Sequence, residues 1–102
     1  MIMADRKIGI VTVMYNSAGV LEGFFDSLDR STYRNFVVYA IDNQSPDDSL
    51  LLASEHSARA SFPTVIIKAE DNGGVAKGNN ISIWSALADG FDLVVLHKID
   101  IL

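Results

Sequence analysis

The chain has 102 residues, a formal net charge of −5 and no cysteine. Its 49% hydrophobic and 21% charged residues are the proportions of one ordinary globular domain. The acidic balance argues against nucleic acid as a partner, because phosphate backbones select surfaces that are rich in Lys and Arg. Without cysteine, disulfides, thiolate zinc sites and a cysteine nucleophile are all excluded.

The cellular compartment is predicted from features that the sequence lacks. Residues 1–7 are too short and too polar for a secretory signal, and no apolar run approaches the ~18 residues of a membrane span. The lack of cysteine fits a reducing environment. We therefore expect a cytoplasmic domain, and a membrane association of a longer parent protein stays open.

Four apolar segments that are rich in β-branched residues each predict a strand; they lie at 8–15, 36–41, 64–68 and 91–96. Their apolar character is nearly continuous, which is typical of strands that helices cover on both faces. The sequence therefore predicts a buried sheet with helices between its strands.

Three helices are predicted in the intervening segments. Apolar residues at positions 21, 24, 25 and 28 form one face of the first helix. The second is expected to open at a capping box, Ser45-Pro46-Asp47-Asp48. The third contains Ile83, Trp84 and Leu87 and ends at Gly90. This alternation predicts a three-layer α/β/α domain with a mostly parallel sheet.

In open sheets of this class, ligands bind at the carboxyl ends of the strands, where the strand order reverses. Polar residues at those ends are the candidate site residues. They are Thr12, Tyr15 and Asn16 after the first strand, Asp42 and Asn43 after the second, Glu70, Asp71 and Asn72 after the third, and His97 and Asp100 after the fourth.

Three segments resemble motifs of family 2 glycosyltransferases. Residues 10–17, I-V-T-V-M-Y-N-S, resemble the V-T-Y-N-S opening of that family. Residues 39–47, Y-A-I-D-N-Q-S-P-D, resemble its V-V-D-N-x-S-x-D segment. Residues 71–80, D-N-G-G-V-A-K-G-N-N, are similar to its E-N-x-G-x-A-x-G-x-N signature. Each motif alone is weak, but the three occur in the family's order and cover nearly the whole chain.

The resemblance implies a Rossmann-like GT-A half-domain whose sheet has the order 3-2-1-4 and whose donor is a nucleotide-diphosphate sugar. It implies a saccharide or lipid-linked acceptor in the parent protein. In the family, the general base of inverting members lies in a second half, so no catalytic residue is named here. We interpret residues 1–102 as a single truncated domain that is inactive alone.

The family motifs assign roles to the residues after the first two strands. Asp42 would hydrogen-bond the nucleobase or ribose, while Thr12, Tyr15 and Asn16 would line the base pocket. Asn43 belongs to the same predicted site. The alternative interpretation of Asp42 and Asn43 is a turn that caps the exit of the second strand.

The glycine-rich motif also has two interpretations. In the functional one, Gly74 brings the backbone close to the ligand, and Lys77 or the side chains of Asn72 and Asn80 reach the diphosphate or ribose. In the structural one, the glycines provide the positive φ that starts a helix, the asparagines are polar residues of its first turn, and Lys77 is solvated surface.

The end of the fourth strand departs from the family. The resemblance implies Mg²⁺ or Mn²⁺ held by the last carboxylate of an Asp-x-Asp motif, and Ile99 stands at that position. Asp100, one residue later, is then the candidate metal ligand. His97 is either a further ligand or a hydrogen-bonded structural residue.

Two other classes of protein were weighed against a glycosyltransferase fragment. A degenerate, non-catalytic nucleotide-binding or interaction module fits the missing carboxylate. A phospho-receiver domain does not fit, because such domains need an acidic pair after the first strand, where this chain has Thr12, Met14 and Tyr15. We also expect the apolar last strand to be exposed and to pair with a second copy of the chain.

Overall fold

The structure, a computed structural model, describes residues 6–68 and 85–97. This part of the chain forms the strands β1 (Ile8–Met14), β2 (Phe36–Asp42), β3 (Thr64–Lys68) and β4 (Leu93–Leu96) and the helices α1 (Leu21–Asp29) and α2 (Ser49–Arg59). A 3₁₀ turn, Ala18–Val20, precedes α1, and residues 85–88 are helical. None of the helices described has both the length and the apolar content needed to cross a membrane.

The four strands form one parallel sheet in the order β3-β2-β1-β4, which confirms the predicted order. In this register Asp42 lies opposite Met14 on one side and Lys68 on the other, so the carboxyl ends of the first three strands are level. On the far side of β1, the β4 ladder stops where Leu96 pairs with Val11. Because β2 and β3 lie on one side of β1 and β4 lies on the other, the strand order reverses between β1 and β4.

Side chains alternate between the two faces of the sheet, and each face has its own core. The larger core lies under α1 and α2 and contains Met14, Leu21, Phe24, Phe25, Phe36, Val38, Ala40, Ala53 and Phe62. The smaller core lies under the helical residues 85–88 and contains Val11, Tyr39, Ile41 and Ala86. Helices therefore cover both faces, as predicted.

The predicted helices agree with the structure to different degrees. The apolar face of α1 is confirmed, because Leu21, Phe24 and Phe25 are buried. The capping box at 45–48 is wrong: α2 begins at Ser49, and Asp48 at its N-cap makes no side-chain cap hydrogen bond. The helical residues 85–88 are followed by Gly90, whose positive φ of 74° is typical of a glycine at the end of a helix.

The capping box fails because its side chains bind another loop. The hydroxyl of Ser45 and the carboxylate of Asp47 accept hydrogen bonds from backbone amides that follow β1. The local spacing predicts a helix cap, but the acceptor atoms of Ser45 and Asp47 bind the loop after β1 instead. Ile83 and Trp84 of the predicted third helix lie outside the described residues.

Candidate functional site

The carboxyl ends of β1 and β2 form the rim where the sequence places its first candidate residues. Asn43 extends the pairing of these strands, because its backbone N–H donates to the carbonyl of Met14 at 2.9 Å. Asp42 pairs in register with Met14, and Thr12 lies one pleat earlier on the same face of the sheet. The structure thus brings Thr12, Asp42 and Asn43 to one rim.

These three side chains are buried and incompletely hydrogen-bonded. Thr12 is 0%, Asp42 2% and Asn43 3% exposed. Within the described residues, Thr12 Oγ1, Asp42 Oδ1 and Asn43 Oδ1 have no hydrogen-bond partner, and Asp42 Oδ2 accepts a long bond, 3.4 Å, from the Ser45 amide. A buried polar atom without a partner costs about 1–3 kcal/mol. A bound ligand or an ordered water can therefore supply partners to these atoms at the rim.

The loop after β1 presents an aromatic ring at this rim. Tyr15 is 38% exposed, and Asn16 beside it is also exposed. Asn16 adopts a left-handed conformation with φ of 56°, which asparagine tolerates better than most residues. The chain turns sharply here, so that the Tyr15 ring is left at the surface, where it is available to pack on a flat ligand.

A cavity of ≈ 450 Å³ opens beside Asp42, between the end of the sheet and the start of α2. Its walls are Asp42, Gln44, Ser45, Asp47, Asp48, Leu50, Leu51 and Lys68. Three carboxylates and the Lys68 ammonium give it both acceptors and a cation. Such walls can accept hydrogen bonds from hydroxyl or imide N–H groups, and the lysine can meet an anionic group.

Sequence reasoning missed a set of hydroxyls that hold the rim together. Ser17 and Ser49 are buried, and the Ser17 amide donates to Ser49 Oγ at 2.7 Å. The Asn16 amide donates to Ser45 Oγ, and the Ala18 amide donates to Asp47 Oδ2, each at 3.1 Å. The run S-P-D-D-S at 45–49 was the available signal, but its spacing suggested a helix cap instead.

His97 lies at the point where the strand order reverses. Its backbone N–H donates to the carbonyl of Val11 at 2.8 Å, which ends the pairing of β4 with β1. Its ring meets the ring of Phe24 edge to face, with 5.1 Å between centroids. Both contacts favour the structural interpretation of His97 over the ligand one.

Seven candidate residues lie outside the described part of the chain: Glu70, Asp71, Asn72, Gly74, Lys77, Asn80 and Asp100. Within residues 6–68 and 85–97, no group of three or more His, Cys, Asp or Glu side chains could hold a metal ion. The described residues therefore do not fit a metal centre by themselves.

A sequence comparison identifies a family for most of the chain. The sequence profile described as Glycosyl transferase family 2 matches residues 9–95. Comparison with curated proteins finds no significant match.

Solved structures with a similar fold cover almost all of the chain. S. aureus TarS residues 1–349 in complex with UDP has a TM-score of 0.80 and 22% identity over 92% of this chain and 27% of that one. The same protein in complex with UDP-GlcNAc has a TM-score of 0.80 and 23% identity over 92% and 26%. The mannosyltransferase PcManGT from Pyrobaculum calidifontis, in complex with GDP-Man and Mn²⁺, has a TM-score of 0.81 and 18% identity over 93% and 28%. This chain thus spans about a quarter of the length of these proteins.

Proposed function

The chain belongs to glycosyl transferase family 2, and we propose that it forms the donor-nucleotide-binding part of an enzyme that transfers a sugar from a nucleotide-diphosphate sugar to an acceptor hydroxyl. The observation that carries this proposal is that, within residues 6–68 and 85–97, buried polar atoms of Thr12, Asp42 and Asn43 have no hydrogen-bond partner. They lie at the carboxyl ends of the two central strands, where α/β sheets of this type bind ligands.

Each residue of the rim has a proposed task. Asp42 accepts a hydrogen bond from a base N–H or a ribose hydroxyl, because a carboxylate is purely an acceptor. Thr12 and Asn43 complete the polar wall. Tyr15 packs its exposed ring on the base or ribose, and Asn16 fixes the turn that presents it.

The remaining functions belong to residues beyond the described part of the chain. By the family resemblance, we assign Asn72, Gly74, Lys77 and Asn80 to the diphosphate and ribose, and Asp100 to a divalent cation, Mg²⁺ or Mn²⁺. The saccharide or lipid-linked acceptor and the general base are assigned to the whole protein. Support for this division comes from the coverage of about a quarter of TarS and PcManGT.

Calorimetric titration of the 102-residue chain tests the proposal. UDP, GDP, UDP-GlcNAc and GDP-Man are titrated with and without Mn²⁺, and inorganic diphosphate serves as the control for charge alone. We expect at least one nucleotide to bind, and to bind more tightly than diphosphate, since the rim recognises the nucleoside. If none of the four ligands binds at millimolar concentration, the chain is not a nucleotide-binding part.

The second candidate function is a non-catalytic nucleotide-binding module. It is favoured by His97-Lys98-Ile99, which stand where the family has its acidic metal motif. This candidate predicts nucleotide binding that Mn²⁺ leaves unchanged. Binding that strengthens with Mn²⁺ favours the transferase.

A further inference from the structure

Three consecutive backbone amides after β1 are bound by side chains that follow β2. The amides of Asn16, Ser17 and Ala18 donate to Ser45 Oγ, Ser49 Oγ and Asp47 Oδ2, at 3.1, 2.7 and 3.1 Å. The residues that they join are 29 to 32 positions apart in the chain. The second loop therefore holds the first one in place amide by amide.

Asp47 is the centre of this arrangement. Its Oδ1 accepts the amide of Ser49 at 3.0 Å and the hydroxyl of Ser49 at 2.5 Å, while its Oδ2 accepts the amide of Ala18. The hydroxyl of Ser49 donates its one hydrogen bond to Asp47. Its oxygen is therefore available to accept a hydrogen bond from the Ser17 amide. Asp47 thus binds Ala18 directly and Ser17 through Ser49.

Burial makes these bonds difficult to replace. Ser49 is 0% and Ser17 1% exposed, so water does not readily take over when an acceptor is removed. Burial by itself raises the pKa of Asp47, but the hydrogen bonds from Ser49 and Ala18 outweigh it, and the pKa is lowered overall. The carboxylate therefore stays charged at neutral pH, which strengthens the bonds that it accepts.

We infer that Asp47 is a positioning residue for the nucleotide site: it holds the loop that carries Tyr15 and Asn16 in the conformation that receives the nucleoside. This role rests on the proposed function. Asp47 borders the cavity beside Asp42, but its two oxygens already accept three hydrogen bonds from the protein. It acts on the ligand through the loop, and Asp42 acts on it directly.

The test compares Asp47→Asn with Glu55→Gln. Both changes remove one negative charge, but Glu55 is exposed on α2 and is not among the residues that line the cavity. An asparagine at 47 presents its NH₂ group to a donor, so one end of the arrangement is broken. Hydrogen exchange by NMR follows the amides of residues 16–18 against those of β1 and β2, and calorimetry gives the affinity for UDP and GDP.

We expect Asp47→Asn to speed exchange of the amides of residues 16–18 by about tenfold or more, and to weaken nucleotide binding by about fivefold or more. Exchange in β1 and β2 stays as in the unmodified chain, and Glu55→Gln changes neither quantity. Unchanged exchange at 16–18 in Asp47→Asn overturns the inference. Faster exchange with unchanged affinity for a nucleotide that binds the unmodified chain overturns it as well.

A second pair of variants decides the matter if Asp47→Asn does not fold. Ser49→Ala removes the acceptor of the Ser17 amide, and Ser49→Thr keeps a hydroxyl at the same place. We expect nucleotide affinity to fall in Ser49→Ala and to return in Ser49→Thr, and equal affinities in the two variants contradict the inference. If the unmodified chain binds no nucleotide, the proposed function fails, and the exchange rates at 16–18 still decide whether Asp47 holds the loop.

Discussion

At the scale of single residues, two aspartates of one cavity wall have opposite surroundings. Asp42 is 2% exposed and has one oxygen without a partner among the described residues, whereas Asp48 is exposed at the N-cap of α2. A buried acceptor that lacks a partner gains most when a ligand supplies a donor, because water was already excluded from it. Removal of the Asp42 side chain should therefore lower the affinity for the ligand more than removal of Asp48.

The first prediction is that Asp42→Ala weakens nucleotide binding by about 1–3 kcal/mol, which is the scale of a lost hydrogen bond to a charged acceptor. Calorimetric titration of UDP and GDP into the 102-residue chain measures it. Glu55→Ala, a change at an exposed carboxylate of α2 outside the lining of this cavity, should leave the affinity within about 0.5 kcal/mol. An unchanged affinity in Asp42→Ala would assign Asp42 to the strand-capping turn.

Tyr39 connects β2 to the residues that follow the helical segment 85–88. This contact lies on the face of the sheet that holds the smaller core. Tyr39 is buried on β2, its hydroxyl donates to the carboxylate of Asp89, and its ring meets Phe91 edge to face at 5.8 Å. Burial, followed by the hydrogen bond to Asp89 and the charge of Asp89, raises the pKa of Tyr39 to about 12. The folded structure thus stabilises the neutral phenol of Tyr39 over its tyrosinate form.

The second prediction concerns stability at high pH. Because the folded pKa of Tyr39 lies above the ordinary value near 10, its contribution is complete below pH 10 and is lost as the pH rises to about 12. The free energy of unfolding should fall across that interval. Absorbance titration of tyrosinate should show a late ionisation, which Tyr39→Phe removes. A late ionisation that persists in Tyr39→Phe would contradict the assignment.

At the scale of elements, much of the fold is predictable because it depends on local periodicity. β3 has the predicted bounds, and the apolar spacing at 21, 24, 25 and 28 predicts the buried face of α1. The β-α alternation, together with the family resemblance, predicts the parallel order of the sheet. These features repeat within a few residues, so a pattern along the chain carries them.

The bonds between loops are not predictable in the same way. Asp47 and Ser49 bind amides 29 and 32 positions away, and no local pattern encodes which distant amide will arrive. The same side chains at the same spacing favour a capping box, and the structure uses them otherwise. The sequence predicts Thr12, Asp42 and Asn43 at strand ends. It does not show that they are buried with polar atoms that have no partner among the described residues.

In helix α2, the sequence predicts the helix but not which of its side chains are buried. The leucines at 50–52 predict a helix, but Leu51 is 57% exposed while the small Ala53 is fully buried. The packing of α2 against α1 decides which side is inward. Phe25 of α1 marks that contact, because its ring stacks on His56 at 5.6 Å and on Phe62 at 5.9 Å.

The third prediction follows from this contact. Phe25→Ala should lower the free energy of unfolding by about 3–5 kcal/mol, since it leaves a cavity in the larger core. Leu51→Ala is the matched control on α2, and its effect should stay within about 0.5 kcal/mol because the side chain is exposed. Urea unfolding followed by circular dichroism measures both. Equal losses in the two variants would show that Phe25 is not part of the core.

At the scale of the whole molecule, the described sheet has one edge that is unusually apolar. β4 is the outer strand beside β1, and Leu93, Val95 and Leu96 are 50%, 40% and 59% exposed. An edge strand offers unpaired N–H and C=O groups, and proteins that remain monomeric commonly protect such strands with charges or proline. The described strand, L-V-V-L, has neither.

The fourth prediction is that the chain self-associates through β4. A second copy would pair its own β4 with this edge and cover the apolar side chains on both, and we expect light scattering to report a dimer or larger species whose fraction rises with concentration. The net charge of −5 opposes association at low salt, so raising the ionic strength should favour it. Leu96→Lys, which places a charge on the edge, should shift the chain toward monomer.

Leu51→Lys is the matched control. It introduces the same charge at a leucine of similar exposure on α2, 57% against 59%, and should leave the association unchanged. A chain that stays monomeric at high concentration and high salt, or one that Leu51→Lys dissociates as readily as Leu96→Lys, would show that β4 is not the surface through which copies meet.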